Sequence, residues 1–150
     1  MKVKELGRLD LIGALTANIY MLVIIAMFLA RIAGWSVLGQ WLGFVSSLAL
    51  LPVVYLLVIA IKTDSPKKYR LWLGLMALFL VFELIVDQII KLDLRTVPWV
   101  TISYVMFFFA ATGGMLGVAS FAGKRWMTTS IVLYLVMATL AFVQRGVTGL

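Results

Sequence analysis

The sequence predicts an all-α integral membrane protein, a bundle of five transmembrane helices. Hydrophobic residues make up 64% of the 150-residue chain and its mean hydropathy is +1.12, whereas a soluble domain is usually about 45–50% apolar. About 20 apolar residues cross a hydrocarbon core of about 30 Å as a helix. Five such runs with short loops occupy the whole chain, so we expect a single transmembrane domain over residues 1–150 and no soluble domain.

The first two predicted helices are separated by a short turn. The first follows the basic residues Lys2, Lys4 and Arg8, but its apolar run is too long for a secretory signal, so we expect it to be retained. The second contains Pro52, which removes a backbone donor, so a kink is expected there. We place these helices over residues 11–30 and 37–61.

The remaining three predicted helices are bounded by polar or turn-forming residues. The most polar stretch of the chain, with Pro66 as its turn signal, precedes the third helix. Pro98 suits the first turn of the fourth helix because its missing N–H would be unpaired there. Gly123 begins a tight connection to the fifth, after which residues 144–150 are expected to form a tail. We place these helices over residues 71–90, 98–121 and 126–143.

Basic residues predict the orientation of the bundle. Nine of the Lys and Arg residues fall on the side of the N-terminus, and the other side holds only Arg31, Lys91, Arg95 and Arg145. By the positive-inside rule, the N-terminus is cytoplasmic and the C-terminus lies outside. We expect a multi-pass protein of the plasma (inner) membrane. On this orientation Trp72 and Trp126 mark the inner interface, and Trp35, Trp41 and Trp99 mark the outer one.

The composition excludes several classes of function. Without Cys or His, the chain cannot supply thiolate or imidazole ligands or a His general base. We therefore expect no catalytic residues, no cofactor and no enzymatic activity, with a lipid-modifying enzyme as the third-ranked alternative. The net charge of +7 reflects residues at helix ends, which contact lipid headgroups rather than nucleic acid.

Two acids inside the third helix are the main functional signal. A carboxylate inside hydrocarbon costs at least a few kcal/mol unless it is paired, protonated or hydrated, so it indicates a functional site. Glu83 lies about 4 Å and Asp87 about 10 Å outward of the predicted midplane, on one helix face that Lys91 continues. If Glu83 is shielded from bulk water, we expect it to exchange a proton near neutral pH.

Polar residues of other helices lie at similar depth and complete a predicted pocket in the outer half of the bundle. We expect the ligand-binding residues to be Glu83, Asp87, Asn18, Tyr104, Ser47 and Lys91. The two carboxylates could also bind Mg²⁺ or Ca²⁺, which accept oxygen ligands, so the metal question stays open. The structural alternative is a network in which the acids pair with Lys91, Arg31 or a tyrosine and fix the helix register.

Small residues recur at four-residue spacing and predict close helix packing. Examples are Gly13 with Ala17, Gly39 with Gly43 and Ser47, and Gly113 with Gly117. Such stripes pack helices within one chain or between two copies, and the pattern alone does not separate these cases.

The leading functional hypothesis is transport or permeation of a cation, a proton or a small cationic substrate through the pocket. Five helices are few for a permease, so under this hypothesis we expect the protein to form a homo-oligomer or part of a larger membrane complex. The chain shows no internal repeat and no clear helix break of the kind common in transporters. The alternative is a non-catalytic membrane-embedded binding or accessory subunit that recognises a lipid, an amphipathic ligand or partner helices.

Overall fold

The computed structural model describes residues 2–91 and 96–148, and the side chains of residues 7–91 and 96–147. Within these ranges all regular structure is helical. A π-helical segment, Leu84–Ile90, continues the fourth helix. The α-helices are α1 Lys2–Ile32, α2 Ser36–Ser47, α3 Leu50–Lys62, α4 Lys67–Glu83, α5 Pro98–Ser120 and α6 Lys124–Thr148.

Five helical spans are long and apolar enough to cross a membrane, as the sequence predicts. The second span comprises α2 and α3, and the third comprises α4 and the π-helical segment. Several of the predicted helices are shorter than the observed ones. The largest difference is in α6, which continues to Thr148 where the sequence predicted a tail from residue 144. Gln144 and Arg145 are therefore helical.

The kink predicted at Pro52 is a two-residue interruption of the second span at Leu48 and Ala49. Helix α2 ends at Ser47 and α3 begins at Leu50. The hydroxyls of Ser46 and Ser47 both donate to the carbonyl oxygen of Gly43, at 2.6 and 3.2 Å. Pro52 has no N–H for the preceding turn, so side-chain and tighter backbone bonds replace the regular ladder here. The expectation of no clear helix break is wrong for this span.

Two glycines make the tight turns possible. Gly34, between α1 and α2, has φ +80°, and Gly123, between α5 and α6, has φ +127°. Residues with a side chain rarely adopt these conformations. These turns reverse the chain within a few residues, so that consecutive spans pack side by side.

Helix α1 lies at the centre of the bundle and contacts α2, α3, α5 and α6. The core between it and its neighbours is apolar and includes the fully buried Met21, Ile24, Leu73, Met76 and Phe79. Helix α6 is peripheral, because only 11% of its most apolar window is buried within the chain.

The small-residue stripes pack within the chain. A Cβ added to Gly13 would lie 2.9 Å from a methyl group of Val118 in α5, and one on Gly43 would lie 3.7 Å from the sulfur of Met27 in α1. A Cβ on Gly117 would overlap the ring of Trp72, 2.6 Å from its Cη2. Trp72 therefore packs against α5 and is half-buried, and its place at the inner membrane interface stays a prediction.

Candidate ligand-binding cavity

A cavity of about 670 Å³ opens between the helices at one end of the bundle. This end, called the Arg31 end here, is where α1, the π-helical segment and α6 finish and where α2 and α5 begin. The sequence predicts that it is the extracellular end. All five spans contribute to the wall, through residues that include Arg31, Gln40, Glu83, Tyr104 and Gln144.

Glu83 is the most secluded charged group of the cavity. Only 7% of its surface is exposed. Its Oε1 accepts a hydrogen bond of 3.3 Å from the hydroxyl of Tyr104, while its Oε2 is buried without a hydrogen-bonding partner among the described residues. A buried carboxylate oxygen of this kind is costly unless a ligand, a proton or water satisfies it. Glu83 therefore has one oxygen fixed by the protein and one available for binding.

Aromatic packing holds Tyr104 against Glu83. Phe79 is fully buried one turn before Glu83, and its ring centroid lies 5.8 Å from that of Tyr104. Phe82 contacts the same tyrosine ring at 6.4 Å. These rings restrict the tyrosine side chain, so its hydroxyl is directed to the carboxylate. Tyr20 of α1 is also buried and lies within electrostatic range of both Glu83 and Tyr104.

Arg31 reaches the cavity because Gly39 leaves room for its side chain. A Cβ on Gly39 would lie 3.1 Å from Cγ of Arg31. The Arg31 guanidinium lies within electrostatic range of Glu83 and Tyr104, and its charge offsets part of the cost of a carboxylate at Glu83. The glycine stripe of α2 thus has a second effect besides close packing.

The π-helical segment carries the other charged residues of this wall. It begins directly after Glu83, includes Asp87 and Gln88, and ends at Lys91, which has φ 54°. A helix with i to i+5 bonding is wider than an α-helix and occurs frequently at functional sites. The left-handed conformation of Lys91 stops the helix at the mouth of the cavity.

Two further cations stand at the mouth. Lys91 and Arg145 are both exposed and line the cavity. Within residues 7–91 and 96–147 neither forms an ion pair. At the opposite end of the bundle, Arg70 of α4 pairs with Asp64 of the preceding loop. Arg95, which the orientation count includes, lies outside the described residues.

The cavity brings together four of the six predicted ligand-binding residues, Glu83, Asp87, Tyr104 and Lys91. Asn18 and Ser47 do not line it. Asn18 is buried, and its Oδ1 accepts a 2.7 Å hydrogen bond from Ser130 of α6. The hydroxyl of Ser47 bonds to its own helix at the break of the second span. Both residues have structural partners because the helices rotate them away from the cavity.

Sequence reasoning missed part of the wall. The sequence predicts Gln144 and Arg145 in a tail, whereas α6 continues through both. Arg31 was expected only as a partner of the acids. Thr101 also lines the cavity and has no distinctive pattern in the sequence. Lys91 was predicted from the helix face that carries the two acids, whereas the only sequence signal for Arg145 was its place on the predicted outer side.

The cavity ends on closely packed apolar residues. Phe79, Leu80, Met76 and Leu73 of α4 are fully buried toward the other end of the bundle. They separate Glu83 from the other end of the bundle. Within the described part of the chain, no group of three or more acidic side chains is arranged as a metal site. Glu83 and Asp87 are the two carboxylates that could ligate a cation here.

Comparison with known protein families, curated proteins and solved structures found no match to this chain. The function is therefore argued from the cavity alone.

Proposed function

We propose that this protein is a small membrane transport or permeation protein whose substrate binds in the cavity at the Arg31 end. The substrate is a proton, a cation or a small molecule with a cationic group, and it binds at Glu83, with Asp87 as the outer carboxylate. The proposal includes a multi-pass arrangement in the plasma membrane, with the N-terminus cytoplasmic and the cavity facing outside. The nine-to-four distribution of basic residues supports this orientation.

The unpartnered oxygen of Glu83 is the observation that carries this proposal. A carboxylate that served only to fix the helix register would be expected to have both oxygens satisfied by its neighbours. Here Tyr104 bonds one oxygen, and the other lies buried beside a cavity formed by all five spans. This arrangement is typical of a binding group.

The broken second span and the π-helical segment support movement of the spans around the cavity. Discontinuous helices are common in transporters, where their ends lie near the substrate. The apolar residues below Glu83 close the cavity in this conformation, so transport requires a second conformation in which they separate. A homo-oligomer or a larger complex is part of the proposal, since five spans are few for a permease.

The same apolar floor favours one second candidate, a non-catalytic binding or accessory subunit that recognises a lipid, an amphipathic ligand or partner helices. Such a protein needs an occupied cavity but no route through the bundle. Both candidates are non-enzymatic.

Flux through reconstituted liposomes tests the proposal. The probes are the proton, detected by an internal pH-sensitive dye, and choline and ε-aminocaproate, detected as radiolabelled solutes. We expect at least one probe to cross faster than in empty liposomes, and Glu83→Gln to abolish that flux. Gln keeps an oxygen acceptor for Tyr104, so the variant should fold.

Asp64→Asn is the matched control. It removes the same charge from an exposed loop carboxylate at the opposite end of the bundle, and its flux should equal that of the parent. Failure of the correctly folded parent to move any of the three probes would contradict the transport proposal and favour the binding subunit.

A further inference from the structure

Among the described residues, the wall of the cavity carries three basic and two acidic side chains. Arg31, Lys91 and Arg145 reach it from three different spans, whereas Glu83 and Asp87 are its carboxylates among the described residues. Even if Arg31 offsets Glu83, Lys91 and Arg145 face one remaining acid. A site selective for a bare cation would be expected to present the opposite balance, because rings of acidic side chains select cations and rings of Arg or Lys select anions.

The charges are also separated by depth. Glu83 is buried at the closed end, and Lys91 and Arg145 are exposed at the mouth. Along the helical segment, Glu83 and Lys91 are separated by on the order of 10 Å. A bare cation must pass the cations at the mouth before it reaches the carboxylate. An acidic group would be attracted there and would find no partner at Glu83.

Five aromatic residues contribute to the wall of the cavity. Phe28, Phe108, Phe109 and Phe142 line the cavity together with Tyr104. Phe28 and Phe108 meet edge to face at 6.4 Å, and Phe109 and Phe142 are stacked at 6.2 Å. This wall suits the apolar part of a small molecule whose charged groups lie at its two ends.

We infer that the ligand is a zwitterion, with an ammonium group at Glu83, a carboxylate or phosphate group at Lys91 and Arg145, and an apolar section against the aromatic wall. This inference rests on the proposed function, because it names the substrate class of the same cavity. The same chemistry occurs in small amino acids and in zwitterionic phospholipid headgroups. The separation on the order of 10 Å between Glu83 and Lys91 favours an extended ω-amino acid, whose methylene chain holds the two charges apart, over the shorter headgroup.

Three probes with six carbons each test the inference. They are ε-aminocaproate, which carries both charges, hexylamine, which carries only the ammonium, and hexanoate, which carries only the carboxylate. Binding is measured by calorimetry on the protein in phosphatidylglycerol nanodiscs, with uptake by empty nanodiscs subtracted. We expect the zwitterion to bind at least tenfold more tightly than either single-charge probe.

Variants identify the two ends of the site. Arg145→Gln should weaken the binding of ε-aminocaproate and hexanoate several-fold without weakening that of hexylamine. Glu83→Gln should remove the advantage of ε-aminocaproate over hexanoate. Arg125→Gln removes an equal charge at the far end of the bundle and should leave all three affinities unchanged. Because Arg145 is exposed at the mouth, its variant tests the inference even if Glu83→Gln fails to fold.

A further measurement with added lipid distinguishes a free amino acid from a phospholipid headgroup as the ligand. If the ligand is a headgroup, phosphatidylethanolamine added to the nanodiscs should raise the unfolding temperature of the parent but not that of Arg145→Gln. If the ligand is a free solute, the lipid should leave the unfolding temperature of both unchanged. Hexylamine binding as tightly as ε-aminocaproate would overturn the inference and leave the proposed function standing. The inference would also be overturned if ε-aminocaproate did not bind and phosphatidylethanolamine did not change the unfolding temperature. Absence of flux for every probe would contradict the proposed function itself.

Discussion

At the residue scale, the buried carboxylate of Glu83 depends on groups that other spans bring to it. An acid within an apolar run stands out in the sequence because hydrocarbon penalises it. Its partner Tyr104 is 21 positions away, and Arg31 and Arg145 come from other spans. The rotation of each helix about its axis decides which polar residues meet. Asn18 shows the consequence, since it lies at the expected depth but faces Ser130 instead of the cavity.

The Asn18–Ser130 pair gives a prediction at this scale. Ser130→Ala removes a buried donor and leaves the amide of Asn18 without the partner of its oxygen. We expect a loss of about 1 kcal/mol in the free energy of unfolding, measured by denaturant titration in detergent micelles. Thr139→Ala on the same helix is the control, because the Thr139 hydroxyl is exposed and bonds only to its own helix. Equal losses for the two variants would contradict a structural role for the pair.

At the scale of the helices, hydropathy located every span but not the irregularities within them. Pro52 predicts the interruption of the second span, because proline removes a backbone donor. The π-helical segment Leu84–Ile90 has no comparable marker, since its residues are ordinary apolar ones around Asp87 and Gln88. The helical continuation of α6 was missed for a related reason. A polar end of a span resembles a tail unless the neighbours that bury Gln144 are known.

The contact between Trp72 and Gly117 gives a prediction at this scale. Gly117→Ala would force a methyl group into the Trp72 ring, and overpacking of this kind costs about 1–3 kcal/mol. We expect a lower unfolding temperature in detergent for this variant. Gly74→Ala on α4 should be neutral or stabilising, because a Cβ there meets nothing within 4 Å.

Restoring space provides the further check. If the two residues are in contact, Gly117→Ala should cost less stability in a Trp72→Leu background than it costs in the parent. An unfolding temperature for Gly117→Ala equal to that of the parent would show that α4 and α5 do not pack through this pair.

At the scale of the whole molecule, the number of spans follows from the apolar runs, and the polar end of the bundle follows from the distribution of acids and bases. What the sequence could not supply is the balance of charge within the cavity. The sequence emphasises two acids on one helix, whereas the folded chain surrounds them with cations from three spans. This balance of charge is the reason why we propose a ligand that carries charges of both signs.

The central claim is that Glu83 faces a water-accessible cavity rather than lipid or sealed protein. The chain has no native cysteine, so single cysteines at Glu83, Asp87 and Ile85 can be probed with a membrane-impermeant thiol reagent added outside right-side-out vesicles. Ile85 lies at similar depth but is 40% exposed on the apolar surface of the bundle. We predict labelling at positions 83 and 87 but not at 85. Labelling at 87 alone, or equal labelling at 83 and 85, would contradict the account.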